Sequence, residues 1–185
     1  MFGHTHTDLF KLYQPVNPSE PPAGVFTVCG SITTWGSLNP SYCEYELDRE
    51  TLLPVKRRTY FFDMAKANQT GQIEWELATD WTQEYQEHGL VDLSPTSYQK
   101  FATSLNEAGN EEVALNYLQH GGRNLGCRAS CDQACQLSTY CEATTIDPYA
   151  YDICNGSKIW DWRNRFMGSF RQAMLTPWVT EDKIE

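Results

Sequence analysis

The sequence predicts an α+β fold: short antiparallel strands, followed by a helical C-terminal half stapled by disulfides. Three observations carry this expectation. The first third holds runs rich in β-branched and aromatic residues, separated by turn chemistry. After Asp63 the apolar residues recur about every four positions instead. Five of the seven cysteines (Cys127, Cys131, Cys135, Cys141 and Cys154) fall within 28 positions, a density that reads as a disulfide framework in an oxidising compartment.

The strands come first. Gln14 to Gly24 contains Pro15, Pro18, Pro21 and Pro22, which excludes regular structure and predicts an exposed connection. Gly24-Val-Phe-Thr-Val-Cys29 is a short strand, Ser37-Leu-Asn-Pro-Ser41 a turn, and Tyr42–Leu47 and Val55–Phe62 two further strands. One small antiparallel sheet would suit these three. Cys29 and Cys43, in adjacent predicted strands, would then pair across a hairpin.

Helices are predicted downstream. Ile73, Leu77, Trp81 and Tyr85 make one apolar face, stopped by His88-Gly89. Ser94-Pro95 caps a helix burying Tyr98, Phe101 and Leu105 and ending near Gly109. Asn110 opens another, with Val113, Tyr117 and Leu118 inward and Gly121-Gly122 as its stop. A fourth helical segment carries Cys131, Cys135 and Leu137, and a fifth spans about Ser157 to Leu175. There is no internal repeat and no low-complexity tract.

Composition narrows the function. The chain has 185 residues, 41% hydrophobic, with 6 Trp, 10 Tyr and 8 Phe, an aromatic load disordered chains do not carry. A net charge of −10 argues against a nucleic-acid partner, because phosphate recognition needs Lys and Arg. An acidic surface also fits an acidic compartment. No stretch approaches the roughly 18 apolar residues of a membrane-spanning helix. The opening Met1-Phe-Gly-His has no secretory n-region or apolar run. A secreted composition without such a signal predicts that the beginning is missing. Asn68-Gln-Thr70 and Asn155-Gly-Ser157 are glycosylation sequons.

The chemistry lies in Gly3-His4-Thr5-His6. Histidines two apart on a strand point to opposite sides. In a tight loop they can splay onto two metal ions a few ångströms apart, with Gly3 allowing the turn. Taken alone, the pair reads either as surface histidines or as zinc ligands. What surrounds it is more specific. Asp8, Phe10 and Tyr13 follow, then Ser31-Ile-Thr-Thr-Trp35, then Leu38-Asn-Pro40, with Tyr42 and Tyr45 preceding Asp48. Ala67-Asn68 and Trp75-Glu-Leu77 come next, and Cys131, Cys135, Cys141 and Cys154 are spaced by four, six and thirteen.

With these landmarks in this order, the chain resembles the acid sphingomyelinases, within the calcineurin-like metallophosphoesterases, from Met1 to about Cys154. The resemblance implies that 1–62 is the end of a metallophosphoesterase catalytic domain with linking strands, its strands closing that domain's sheet, and that 63–185 is a helical C-terminal domain. It implies that His4 and His6 each ligate one of two zinc ions, which would activate a water against a sphingomyelin-like phosphodiester and release phosphocholine. Trp35 would face a choline ammonium by cation–π attraction, its other reading being a core or interface tryptophan. The resemblance also implies the pairings Cys131–Cys135 and Cys141–Cys154, leaving Cys127 for a cysteine elsewhere. A zinc knuckle is the rival reading of those cysteines.

The family's Asp-x-His, Gly-Asp and Gly-Asn-His motifs do not occur here, so the chain alone is expected to be inactive, completed by an N-terminal catalytic portion. His88 and His120, flanked by Gln and Glu, are expected at the surface. The location expected is secreted or lysosomal, and the partners are that missing portion and a phospholipid or membrane surface. The alternative is a non-catalytic secreted module that binds a lipid or protein through Trp160, Trp162, Phe166 and Trp178.

Overall fold

A computed structural model of the chain describes residues 6–15, 20–34, 38–123 and 129–156. Two compact units result, Met1–Ile146 and Asp147–Glu185. Within the first, two antiparallel sheets pack with helices, so the fold is α+β. Strand β1 (Leu9–Tyr13) pairs with β2 (Gly24–Val28), in register from Leu9 opposite Val28 to Tyr13 opposite Gly24. The second sheet runs β3 (Ser41–Leu47), β4 (Pro54–Phe61) and β5 (Glu76–Asp80), with β4 central.

The single three-stranded sheet expected above is therefore two sheets. The difference is β1, whose Leu-Phe-Lys-Leu-Tyr run carries no β-branched residue yet alternates cleanly, burying Phe10 and Leu12. Cys29 and Cys43 are joined, with Cα atoms 5.9 Å apart, but the bond links the end of β2 to β3 of the other sheet and spans no hairpin. Tyr45 reinforces that link by donating its hydroxyl to Thr27 Oγ1 at 3.0 Å.

The amphipathic helix read across Ile73–Tyr85 is also revised. Helix α1 (Met64–Thr70) precedes it, capped by the Asp63 carboxylate and ended by Gly71 in the left-handed region at φ 72°. Residues Glu76–Asp80 are β5, and only Trp81–Glu84 is helical, as α2, followed by a 3₁₀ turn at Gln86–His88. A spacing of four is also an even number, so Ile73 and Leu77 satisfy a strand's period as well as a helix's. Both are exposed, whereas Trp81 and Tyr85 are buried.

Helix α3 (Pro95–Leu105) starts at the Ser94 cap, whose Oγ accepts from the Ser97 amide, and buries Tyr98, Phe101 and Leu105. Helix α4 (Glu111–Gly121) buries Ala114 and Tyr117, and α5 (Gln133–Thr144) is capped by Asp132. Phe10 is the hub where these elements meet. Its ring lies 4.8 Å from Tyr98, 5.8 Å from Phe101 and Tyr117, and 6.3 Å from Trp81. Tilted and edge-on contacts of this kind add to the burial itself. Lys11, on the opposite face of β1, donates to the Glu142 carbonyl in the last turn of α5 at 2.8 Å. Cys131 is bonded to Cys135, which removes the zinc-knuckle reading of those two. Cys141 is likewise disulfide-bonded.

In the second unit, α6 (Pro148–Cys154) opens with the Asp147 side chain accepting from the Ala150 amide and Pro148 at its first position. The pattern around Asp147-Pro148 carries that start signal, which the sequence reading passed over. Cys154 is disulfide-bonded. The helix expected from Ser157 onward lies outside the described residues, as do Cys127 and the aromatic residues Trp160 to Trp178 of the alternative reading.

Candidate functional site

Of the two histidines of the Gly-His-Thr-His motif, His6 is among the described residues; His4 lies outside them, and so does Trp35. His6 adopts φ 60°, the left-handed region that costs a side chain about 1 kcal/mol or more. Its Nδ1 meets Thr33 Oγ1 at 3.0 Å. Thr33 is set in turn by Ser31, whose Oγ accepts the Thr33 amide at 3.1 Å and lies 3.0 Å from Thr33 Oγ1. The Ser31-Ile-Thr-Thr segment thus forms a strap over the His6 ring.

Two residues on, the chain is bolted to the interior. The Asp8 amide donates to the Gly121 carbonyl at the end of α4 at 3.1 Å. This approach needs glycine there, because a Cβ on Gly121 would sit 2.9 Å from the Asp8 carbonyl oxygen. The Asp8 carboxylate is fully buried and accepts from Arg57 Nη2 and Thr59 Oγ1, both on β4. Arg57, equally buried, also donates to the Val28 carbonyl at 2.9 Å, and its guanidinium lies 3.9 Å over the Trp81 ring. Trp81 Nε1 completes the network on Thr59 Oγ1 at 3.3 Å. Burial pushes the Asp8 carboxyl up, with the Arg57 charge and the Thr59 hydroxyl pulling it back. Burial likewise works against the Arg57 charge, but Asp8 more than offsets it, and Arg57 stays cationic.

The turn after the strap has its own anchor. Asn39 donates to the Arg123 carbonyl at 3.1 Å and accepts from the Met64 amide at 3.1 Å. Arg123, buried and at φ 59°, reaches back with Nη1 to the Ser31 carbonyl at 2.6 Å. Sequence reasoning missed both arginines. A basic side chain inside a β-branched and aromatic strand was the available signal for Arg57; Arg123, beside Gly121-Gly122, offered none.

His120 is not a surface histidine. Its Nδ1 lies 2.9 Å from the Tyr85 hydroxyl, 3.2 Å from Thr79 Oγ1 and 3.4 Å from Glu84 Oε1. Burial lowers its pKa, and the Glu84 carboxylate opposes that shift. Gln119, the polar neighbour that suggested exposure, precedes a ring turned inward, because one face of α4 is buried and position 120 falls beside it. Asn68 is exposed on α1, and Asn155 is half-buried at the end of α6.

Whether these residues suit a metal can be tested on His6. A ring whose Nδ1 is held by a fixed hydroxyl is oriented in the manner of a ligating imidazole. Among the described residues, no three His, Cys, Asp or Glu side chains come together as a metal site. Of the motif's two histidines, the described residues thus offer the His6 imidazole as a single candidate donor.

Comparison with known proteins agrees with this partial character. A profile described as the acid sphingomyelin phosphodiesterase C-terminal region matches residues 15–160. Sphingomyelin phosphodiesterase A of Dictyostelium discoideum is 30% identical over 156 residues, covering 84% of this chain and 26% of that protein. Sphingomyelin phosphodiesterase 1 of Caenorhabditis elegans is 33% identical over 143 residues, 76% of this chain and 24% of the relative. The rat cyclic GMP-AMP phosphodiesterase SMPDL3A is 28% identical over 160 residues, 83% of this chain and 34% of its own length. The chain therefore spans about a quarter of the length of the first two relatives. Since the profile covers most of its residues, the chain belongs to the acid sphingomyelin phosphodiesterase family, through that family's C-terminal region.

Proposed function

We propose that this chain is the C-terminal segment of a zinc-dependent phosphodiesterase that hydrolyses sphingomyelin-like lipids and releases phosphocholine. In this reading His4 and His6 each give one imidazole to a two-zinc site, Trp35 faces the choline, and an N-terminal catalytic portion supplies the remaining ligands. The segment alone is inactive. Bound zinc would supply Lewis acidity and a water of lowered pKa. The chain's own residues hold the geometry: Thr33 fixes the His6 ring and Asp8 ties the backbone two residues later to the core. The observation that carries the proposal is His6 itself, in a strained left-handed conformation with its Nδ1 engaged. Strain of this kind persists where the surroundings over-determine it, and such places cluster at functional sites.

The disulfides and the exposed sequon at Asn68 support a secreted or lysosomal location with glycosylation at Asn68 and Asn155. The names of the relatives cover sphingomyelin and cyclic GMP-AMP, which share a phosphodiester. Sphingomyelin is favoured because the most similar relatives given above carry that name.

The test is a chimera in which this chain replaces the matching segment of the Dictyostelium relative. Phosphocholine release and zinc content are measured with and without His6→Ala. Both should fall sharply in the variant. Retention of full zinc content and turnover without the imidazole would overturn the proposal.

A further inference from the structure

We infer that the tip of the β3–β4 hairpin is a docking surface for a zwitterionic, phosphocholine-headed lipid layer. The inference rests on the lipid-directed reading above for its choice of lipid, and needs neither metal nor turnover.

Five apolar residues crowd this tip. Leu47 closes β3 opposite Pro54, and Leu52, Leu53, Pro54 and Val55 follow as four successive exposed positions. The three leucines and the valine are between 52% and 70% exposed. A soluble surface avoids such a run unless it has a use. Val55 lines up along β4 with the buried Arg57 and Thr59. The inward side of the strand therefore keeps its apolar character past the end of the core. Leu52 adds an independent sign, because it sits in the left-handed region at φ 57°. A branched side chain resists that region, and here it is held there facing solvent.

The turn that holds it is closed on itself. Asp48 Oδ1 accepts the Thr51 amide and hydroxyl, each at 2.8 Å, and the Glu50 amide at 3.1 Å. These donors, Thr51 first, hold the Asp48 carboxyl below its usual range. The Asp48 carbonyl accepts the Leu52 amide at 2.9 Å, and the Asp48 amide donates to the Leu53 carbonyl at 2.9 Å. The Leu53 amide donates to Thr51 Oγ1 at 3.4 Å. Amides already bonded within the turn can leave bulk water without the cost that bare ones carry.

Composition and charge choose the occupant. Protein hot spots favour Trp, Tyr and Arg and are poor in Leu and Val, whereas aliphatic side chains suit the outer edge of a hydrocarbon layer. Exposed Arg49 and Glu50 stand at the apex. They offer one cation for a phosphate and one anion for a quaternary ammonium, the two charges of a phosphocholine head. An anionic layer would instead be repelled by the chain's net charge of −10.

The experiment sediments the full chain with vesicles of phosphatidylcholine and sphingomyelin in equal parts, and separately with phosphatidylserine vesicles. The native chain should bind the first, with little change on added salt, and leave the second. Leu52→Asn and Leu53→Ser should each weaken binding about tenfold. Asparagine tolerates the left-handed region, so Leu52→Asn should melt no lower than the native chain, which separates a lost contact from a lost fold. Variants that bind like the native chain, a native chain that stays in the supernatant, or a salt-sensitive preference for phosphatidylserine would each overturn the assignment. If the native chain ignores vesicles while Leu53→Ser shifts its elution in gel filtration, the tip is a protein contact and the lipid assignment falls. Hydrolysis is tested separately by the chimera, so either reading can fail alone.

Discussion

Replacing Arg57 with methionine removes a buried cation of similar length and strands the Asp8 carboxylate without its partner. Both side chains have no exposed surface. A carboxylate left in that position takes up a proton, and the free-energy cost depends on how far the pH lies above its ordinary pKa. With that value at about 3.9, protonation costs about 4 kcal/mol at pH 7 and about 1.5 kcal/mol at pH 5. The larger figure agrees with the roughly 3–5 kcal/mol found on breaking buried pairs from one side. Loss of the contact with Trp81 and of the hydrogen bond to the Val28 carbonyl adds about 1–2 kcal/mol at either pH. In the variant, the folded-state pKa of Asp8 stands above its unfolded value. Stability is therefore greatest at acid pH and falls as the pH rises toward the folded pKa. Urea unfolding of the full chain, followed by tryptophan fluorescence at both pH values, should give an Arg57→Met loss larger at pH 7 than at pH 5 by up to about 2.5 kcal/mol, less whatever the native chain itself loses through its own raised Asp8 pKa. The double variant with Asp8→Asn should lose that difference. A loss that is the same at both pH values, or below about 1 kcal/mol at pH 7, would refute the reasoning, since it falls under the range for a broken buried pair.

Two other outcomes follow from the same structure. Burial lowers the His120 pKa, with Glu84 opposing, so the fold favours the neutral ring; its contribution is complete above about pH 6.5 and is lost as the pH falls through the lower folded value. Thermal melts from pH 7.5 to 5 should show His120→Gln with a flatter pH dependence than the native chain, and parallel slopes would count against the buried ring. Removing the Cys29–Cys43 bond by the double substitution to alanine, across a separation of 14 residues, should cost about 3 kcal/mol in urea denaturation, and an unchanged midpoint would mean the bond constrains little.

How much of this was legible in the sequence depends on how local each signal is. The α3 cap at Ser94-Pro95 and its buried Tyr98, Phe101 and Leu105 are written in neighbouring residues, and they read correctly. So do the strand positions of β2, β3 and β4, whose β-branched and aromatic content is high. Strand β1 failed that test because its burial is earned by alternation and by Phe10 meeting four rings from distant elements. Sheet membership failed for a similar reason, since which strand pairs with which is decided by long-range packing. At the site, the histidine motif was visible, but its supports were not. Arg57 and Arg123 look like surface cations until a buried carboxylate and a loop carbonyl are placed beside them.

The anchoring of Asp8 and Ser31 by the end of α4 bears on the order in which the molecule can be made. Arg123 follows Ser31 by 92 residues, so during synthesis the histidine loop leaves the ribosome long before either of its clamps. At about 5–20 residues per second, several seconds pass in which the loop has nothing to close against. Its final geometry is among the last features to mature, and a polypeptide interrupted anywhere before α4 would carry the histidines without the means to aim them.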